Sequence, residues 1–81
     1  MGRLRFSYYM DVVVRVRDDK LLVKFIGALK DANASIMDVN EEGRRVFFKA
    51  SLDLVDRISS LLDEYAYSAM YEVKGKAQHD L

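Results

Sequence analysis

The residues in this chain that could do chemistry are few, and their spacing argues against catalysis. The run Asp38-Val39-Asn40-Glu41-Glu42-Gly43 puts oxygen donors at the first, third and fifth positions of a calcium loop and glycine at the sixth. The position where a bidentate glutamate closes such a loop is Lys49, so a hairpin turn explains the stretch better. His79 is the single histidine and there is no cysteine, which leaves zinc almost nothing to bind. For the same reason no Ser or Lys has an imidazole base from a structured region, and scattered carboxylates on polar faces are normally solvated. The sequence points to no enzyme, no metal and no cofactor.

A second chemistry is open to a set of cations. Arg5, Arg15, Arg17, Arg45 and Lys49 fall at alternating positions with Tyr9, Val13 and Phe47. On the free face of a sheet such a set could stack single-stranded RNA bases on rings while cations meet phosphates. The stretch Glu42 to Ala50, EGRRVFFKA, lacks the Gly-aromatic pattern of the familiar RNA-recognition motif. Thirteen basic and thirteen acidic residues also cancel, so no overall field draws the chain to nucleic acid or an anionic membrane. Nucleic acid is therefore the lesser reading. The stronger one is that Tyr9, Val13 and Phe47 are covered by another copy of the chain, as a homodimer, because apolar residues in the middle of an open sheet favour association.

These readings need a sheet to carry them, and the hydropathy pattern supplies one. From Phe6 to Val16, Phe6, Tyr8, Met10, Val12, Val14 and Val16 alternate with a second set, as in a strand with one buried face. Asp18 or Asp19 can then cap a helix whose stripe is Leu21, Leu22, Phe25, Ile26 and Leu29, ending near Asn33. Strands SIMDV and RRVFFKAS flank Asn40-Glu41-Glu42-Gly43, where Gly43 is expected to take the positive φ of a tight hairpin. After Ser51 or Asp53 as a cap, Leu54, Val55, Ile58, Leu61, Leu62 and Tyr65 mark a second helix.

The segment Tyr65 to Val73, YAYSAMYEV, decides the architecture. As helix it would leave Tyr67 and Tyr71 on one exposed side, wanting a partner. As strand it would bury the tyrosines, and Tyr and Val favour strands. The strand reading is preferred and makes the order β-α-β-β-α-β. That order is an α+β, ferredoxin-like two-layer sandwich, with a four-stranded antiparallel sheet and both helices on one face. At 81 residues the chain has room for one domain, expected over residues 1–75 with 76–81 as a flexible tail. No apolar run approaches a membrane span and no signal peptide is evident, so a cytoplasmic protein without membrane association is the default.

With these elements drawn, the segment Leu21 to Val39, LLVKFIGALKDANASIMDV, resembles the helix-to-strand segment of the ACT family of small regulatory domains, including Gly27 in mid-helix. The family's Pro-Gly turn is replaced here by Asp19 and Lys20. The resemblance implies an amino-acid site at a dimer interface, with Asp18, Asp19 and Lys20 on one side and Asn33, Ala34 and Ser35 on the other. The same residues have a simpler reading. Asp18 and Asp19 suit the amides at a helix start, Asn33 can end a helix in a left-handed conformation, and Gly27 lets the helix lie close to the sheet. If the last segment is helical, the chain is instead weakly similar to the small dimerising subunit of the KEOPS tRNA-modification complex. Tyr67 and Tyr71 would then face a larger protein partner. The reading favoured overall is a non-catalytic, self-associating regulatory or small-molecule-binding domain.

Overall fold

The computed structural model describes the backbone of residues 3–80 and the side chains of residues 7–75. Strand β1 (Arg3–Val16) leads to helix α1 (Asp19–Asp31), strands β2 (Ser35–Asn40) and β3 (Arg45–Ser51), a single 3-10 turn (Leu52–Leu54), helix α2 (Val55–Tyr65) and strand β4 (Ala66–Asp80). The strands form one antiparallel sheet in the order β2-β3-β1-β4. This is the ferredoxin-like β-α-β-β-α-β arrangement.

Alternation in β1 decides which face is buried. Met10, Val12, Val14 and Val16 lie beneath the helices, opposite Ala50, Phe48 and Val46 of β3 in register. Leu22, Phe25 and Leu29 of α1 and Ile58 of α2 close the core over them. Phe25 is its centre, with its ring edge-on to Phe48 at 6.1 Å and tilted against Tyr65 at 5.6 Å. Aromatic pairs in these arrangements add to the gain from burial alone.

Local chemistry sets the element ends. The Leu21 amide donates to the Asp18 carboxylate at 2.9 Å, satisfying one of the free amides of the first turn of α1. At the other end Asn33 takes φ 63° and its amide donates to the Lys30 carbonyl, while Ala34 donates to Leu29. That pair of bonds is a Schellman closure. Ser51 accepts from the Asp53 amide to start the 3-10 turn ahead of α2.

Several expectations are corrected. Gly43 does not take a positive φ; Arg44 does, at 52°. The Asn40 side chain accepts from the Gly43 amide and the Arg44 amide closes on the Glu41 carbonyl, which pushes the left-handed residue one position on. Arg44 holds this conformation through reciprocal bonds with Val16: the Val16 amide donates to the Arg44 carbonyl at 2.8 Å and Arg44 Nε donates to the Val16 carbonyl at 3.0 Å. Gly27 does not lie against the sheet. It is exposed, and a Cβ there would meet nothing within 4 Å.

The final segment is strand, so the helix on which the KEOPS-like alternative depended is not formed. Arg17 helps set where α2 gives way to β4. Its side chain donates to the carbonyls of Asp63, Glu64 and Ala66, and its amide donates to Tyr65. A cation at a helix C-terminus satisfies free carbonyls and the negative end of the dipole together. The strand does not bury its tyrosines, however: Tyr67 is 72% and Tyr71 67% exposed. β4 lies at the sheet edge, where α2 covers it only in part, with Tyr71 beside Val55, Ile58, Ser59 and Leu62, and a register shift between Arg15 and Val16 moves Tyr67 out of line with Tyr71. The backbone of residues 76–80, expected as a flexible tail, continues β4 against the start of β1, pairing Phe6 with Ala77 and Arg3 with Asp80.

Candidate functional site

The two triplets expected to share a ligand are separated. Asp18, Asp19 and Lys20 stand at the start of α1 and Asn33, Ala34 and Ser35 just past its end, so a 13-residue helix, about 20 Å long, lies between them. Within one chain they cannot hold one small molecule. Within the chain Asp18 caps α1, and Asn33 and Ala34 close it.

The second triplet nevertheless borders a cleft. β3 ends at Ser51, opposite Tyr9 of β1, and the chain then turns away toward α2 while β1 continues. β2 starts at Ser35, opposite Lys49. The open corner is a cleft of about 420 Å³ lined by Ser7, Tyr8 and Tyr9 from β1, Asn33 and Ser35 from the turn before β2, and Lys49, Ala50 and Ser51 from β3. Three serine hydroxyls, an amide and two phenols offer neutral donors and acceptors, and Lys49 offers a cation. Such a set suits a small polar molecule with an anionic group and a flat or apolar portion to lie on Tyr8 or Tyr9. Lys49 Nζ is 5.2 Å from the Tyr9 ring centroid and 3.8 Å from Asp11 Oδ1. Asp18, Asp19, Lys20 and Ala34 do not line this cleft.

The open face of the sheet forms the second candidate. Val13, Phe47 and Met70 stand side by side across β1, β3 and β4, with Val13 45% and Met70 77% exposed. Around them the cations are already engaged. Asp11 holds Lys74 at 2.9 Å and Lys49 at 3.8 Å, and Arg15 lies 5.6 Å from the centre of the Tyr67 ring. The hydrogen bond and charge of Asp11, with Glu72 adding to them, raise the pKa of Lys74 above the ordinary lysine value. Asp11 Oδ1 is itself buried and without a hydrogen-bond partner among the described residues, since Lys49 at 3.8 Å is an ion-pair neighbour only.

Of the cations considered for RNA, Arg17 is turned away to the end of α2. Arg15 lies against the Tyr67 ring, Lys49 borders the corner cleft, Arg45 is exposed opposite Arg15, and the side chain of Arg5 lies outside the described residues, as does that of His79.

Sequence reasoning missed Ser7, Tyr8 and Ser51 as cleft residues and Asp11, Met70, Glu72 and Lys74 on the open face. The cleft residues had a signal. Once the turn between Asn40 and Arg45 is drawn, a regular hairpin brings Ser35 to Ala50, which the irregularity at Met37 moves by one residue to Lys49, and β1, with 14 residues against 7 in β3, must overhang. The β4 residues had none until the last segment was known to be strand.

No family model matches the sequence, and no curated protein matches it. Among solved structures the chain is similar to the apo form of CPII from Thiomonas intermedia K12, a nitrogen regulatory PII-like protein, at 11% identity over all of both chains with a TM-score of 0.56. It is also similar to a putative PII-like signaling protein from Thermus thermophilus, at 15% identity over 93% of this chain and 90% of that one, with a TM-score of 0.53. At such identities the likeness is one of fold, and the chain has the ferredoxin-like architecture that PII-like proteins and ACT domains share.

Proposed function

We propose that this protein is a non-catalytic regulatory domain that binds a small anionic molecule in the corner cleft and self-associates through the open face of its sheet. The observation that carries the ligand reading is the cleft itself, where Asn33 and Ser35 border one open depression with Tyr9, Lys49 and Ser51. An amino acid fits the chemistry: its carboxylate meets Lys49 and the hydroxyls, and its side chain rests on Tyr8 or Tyr9. The fold shared with PII-like signalling proteins supports a regulatory role in general terms. For the open face, the exposed Val13 and Met70 beside Phe47 support burial by a second copy. Because Lys74, Arg15 and Arg17 are engaged within the chain, this surface favours protein over single-stranded RNA.

The test is a titration of isotope-labelled protein with the amino acids and a set of small carboxylates, followed by backbone NMR. Binding in the cleft moves the amides of Tyr9, Asn33 to Ile36 and Lys49 to Ser51. Lys49→Ala should weaken that response by about tenfold or more, the loss of one charge-assisted contact. If no ligand in the panel moves those amides, or Lys49→Ala leaves the affinity unchanged, the cleft is not the site.

A further inference from the structure

We infer that the outer edge of β4 pairs with the same edge of a second copy, antiparallel and centred on Val73, joining two four-stranded sheets into one. The edge is unusual for a strand left open. Tyr67, Met70, Tyr71 and Val73 are all exposed, and the chain has no proline to interrupt pairing. Exposed, long and apolar edge strands present unpaired amides and carbonyls ready to template another strand.

Charge selects the register. Across the β1–β4 ladder Glu72 stands directly opposite Asp11, a like-charge pair that costs stability. The described ion pairs give both Lys49 and Lys74 to Asp11, so the chain's own cations are drawn to the carboxylate on β1. A two-fold axis perpendicular to the sheet keeps each residue on its own face, so in a regular strand the axis must pass through a residue. An axis at Glu72 or Lys74 stacks like charges on each other. One at Met70 or Tyr71 leaves Glu72 opposite Ser68 or Met70. An axis at Val73 sets Glu72 of each copy opposite Lys74 of the other, twice, with valine facing valine on the axis. In the same register Tyr71 faces Gly75, so its ring would come beside the Tyr8 ring that already lies against that glycine. Across the joined sheet the row becomes Lys49, Asp11, Glu72 and the second copy's lysine, so the two neighbouring carboxylates are flanked by a lysine on each side.

The absence of cysteine makes the register directly testable. On mild oxidation Val73→Cys should form an interchain disulfide, since facing Cβ atoms in a ladder approach to about 5 Å. Tyr71→Cys, which faces Gly75, should not. Phe47→Glu, placed in the Val73→Cys background, should leave that disulfide intact, because the open face is a separate surface.

Glu72→Lys gives a second readout with opposed signs. It removes the repulsion against Asp11, so thermal stability holds or rises, yet it sets two ammonium groups against each other across the axis. Edge association by sedimentation should weaken about tenfold. Lys74→Glu repels in the same way, while a one-to-one mixture of the two single variants restores complementary pairs and should associate as well as the wild type. A wild-type chain that stays monomeric across the concentration series overturns the inference and leaves the edge for a strand of another protein. So does a disulfide at position 71 as ready as that at 73, or a Glu72→Lys variant that associates unchanged. If Lys74→Glu does not fold, the disulfide and Glu72→Lys results decide.

Discussion

The two faces of β1 are built from neighbouring residues and behave in opposite ways. On one, Met10, Val12, Val14 and Val16 are sealed by two helices with no polar side chain buried among them in the described residues. On the other, Asp11, Val13 and Arg15 share an open surface where apolar side chains are exposed and a carboxylate organises the cations around it. The first face is completed by the chain itself. The second has the composition of a surface completed by something else: apolar in the middle and charged around it, with Lys74 already paired to Asp11. Hydrophobic alternation thus identifies a buried face reliably, whereas the alternate set must be judged by what its charges are already doing.

The largest expected effect lies on the sealed face. Phe25→Ala removes the ring that meets both Phe48 and Tyr65 and should cost about 3–5 kcal/mol, a large part of the stability of so small a domain, as read by chemical denaturation. If that cost falls below about 1 kcal/mol, the core is not centred there. On the open face Phe47→Glu should leave the fold intact and weaken self-association, by about 1.5–3 kcal/mol if the ring is fully covered by the second copy. Elution at an unchanged size would break the contrast between the two faces.

Smaller effects test the helix that covers the sealed face. Asp18→Ala loses the bond to the Leu21 amide and should cost about 1 kcal/mol of stability without changing any ligand response in the cleft, which lies at the far end of α1. A loss of ligand affinity would instead return Asp18 to the site. Smallest, and opposite in sign, Gly27→Ala should stabilise by about 0.5–1 kcal/mol, because the position is exposed and open to a Cβ. A destabilised variant would mean that α1 is approached on its outer side by another surface.

Much of the site could be anticipated because its parts are local. Asp18 as a cap and Asn33 as a left-handed terminator follow from short side chains that bond or tolerate the backbone nearby. Gly43 misled for a related reason. Glycine permits a positive φ but does not require one, and the Asn40 side chain bond shifted that conformation to Arg44, whose cost is met by Val16 in another strand. Arg17 likewise looked like a face residue by alternation, yet β1 ends one residue earlier and the free carbonyls of α2 lie within its reach.

The sequence by itself determined the periodic elements, the buried residues of β1 from Met10 to Val16 and those of β3, though not Tyr8, which is exposed, and the caps of α1, since each depends on residues a few positions apart or on a repeat of two or 3.6. Tertiary structure alone decided which distant segments meet. It joined Asn33 to Tyr9, Lys49 and Ser51 by the order β2-β3-β1. It also left Tyr71 and Val73 uncovered by putting β4 at an edge. Burial and proximity are properties of strand order, and strand order is set by the packing of the whole core, which no local stretch of sequence contains.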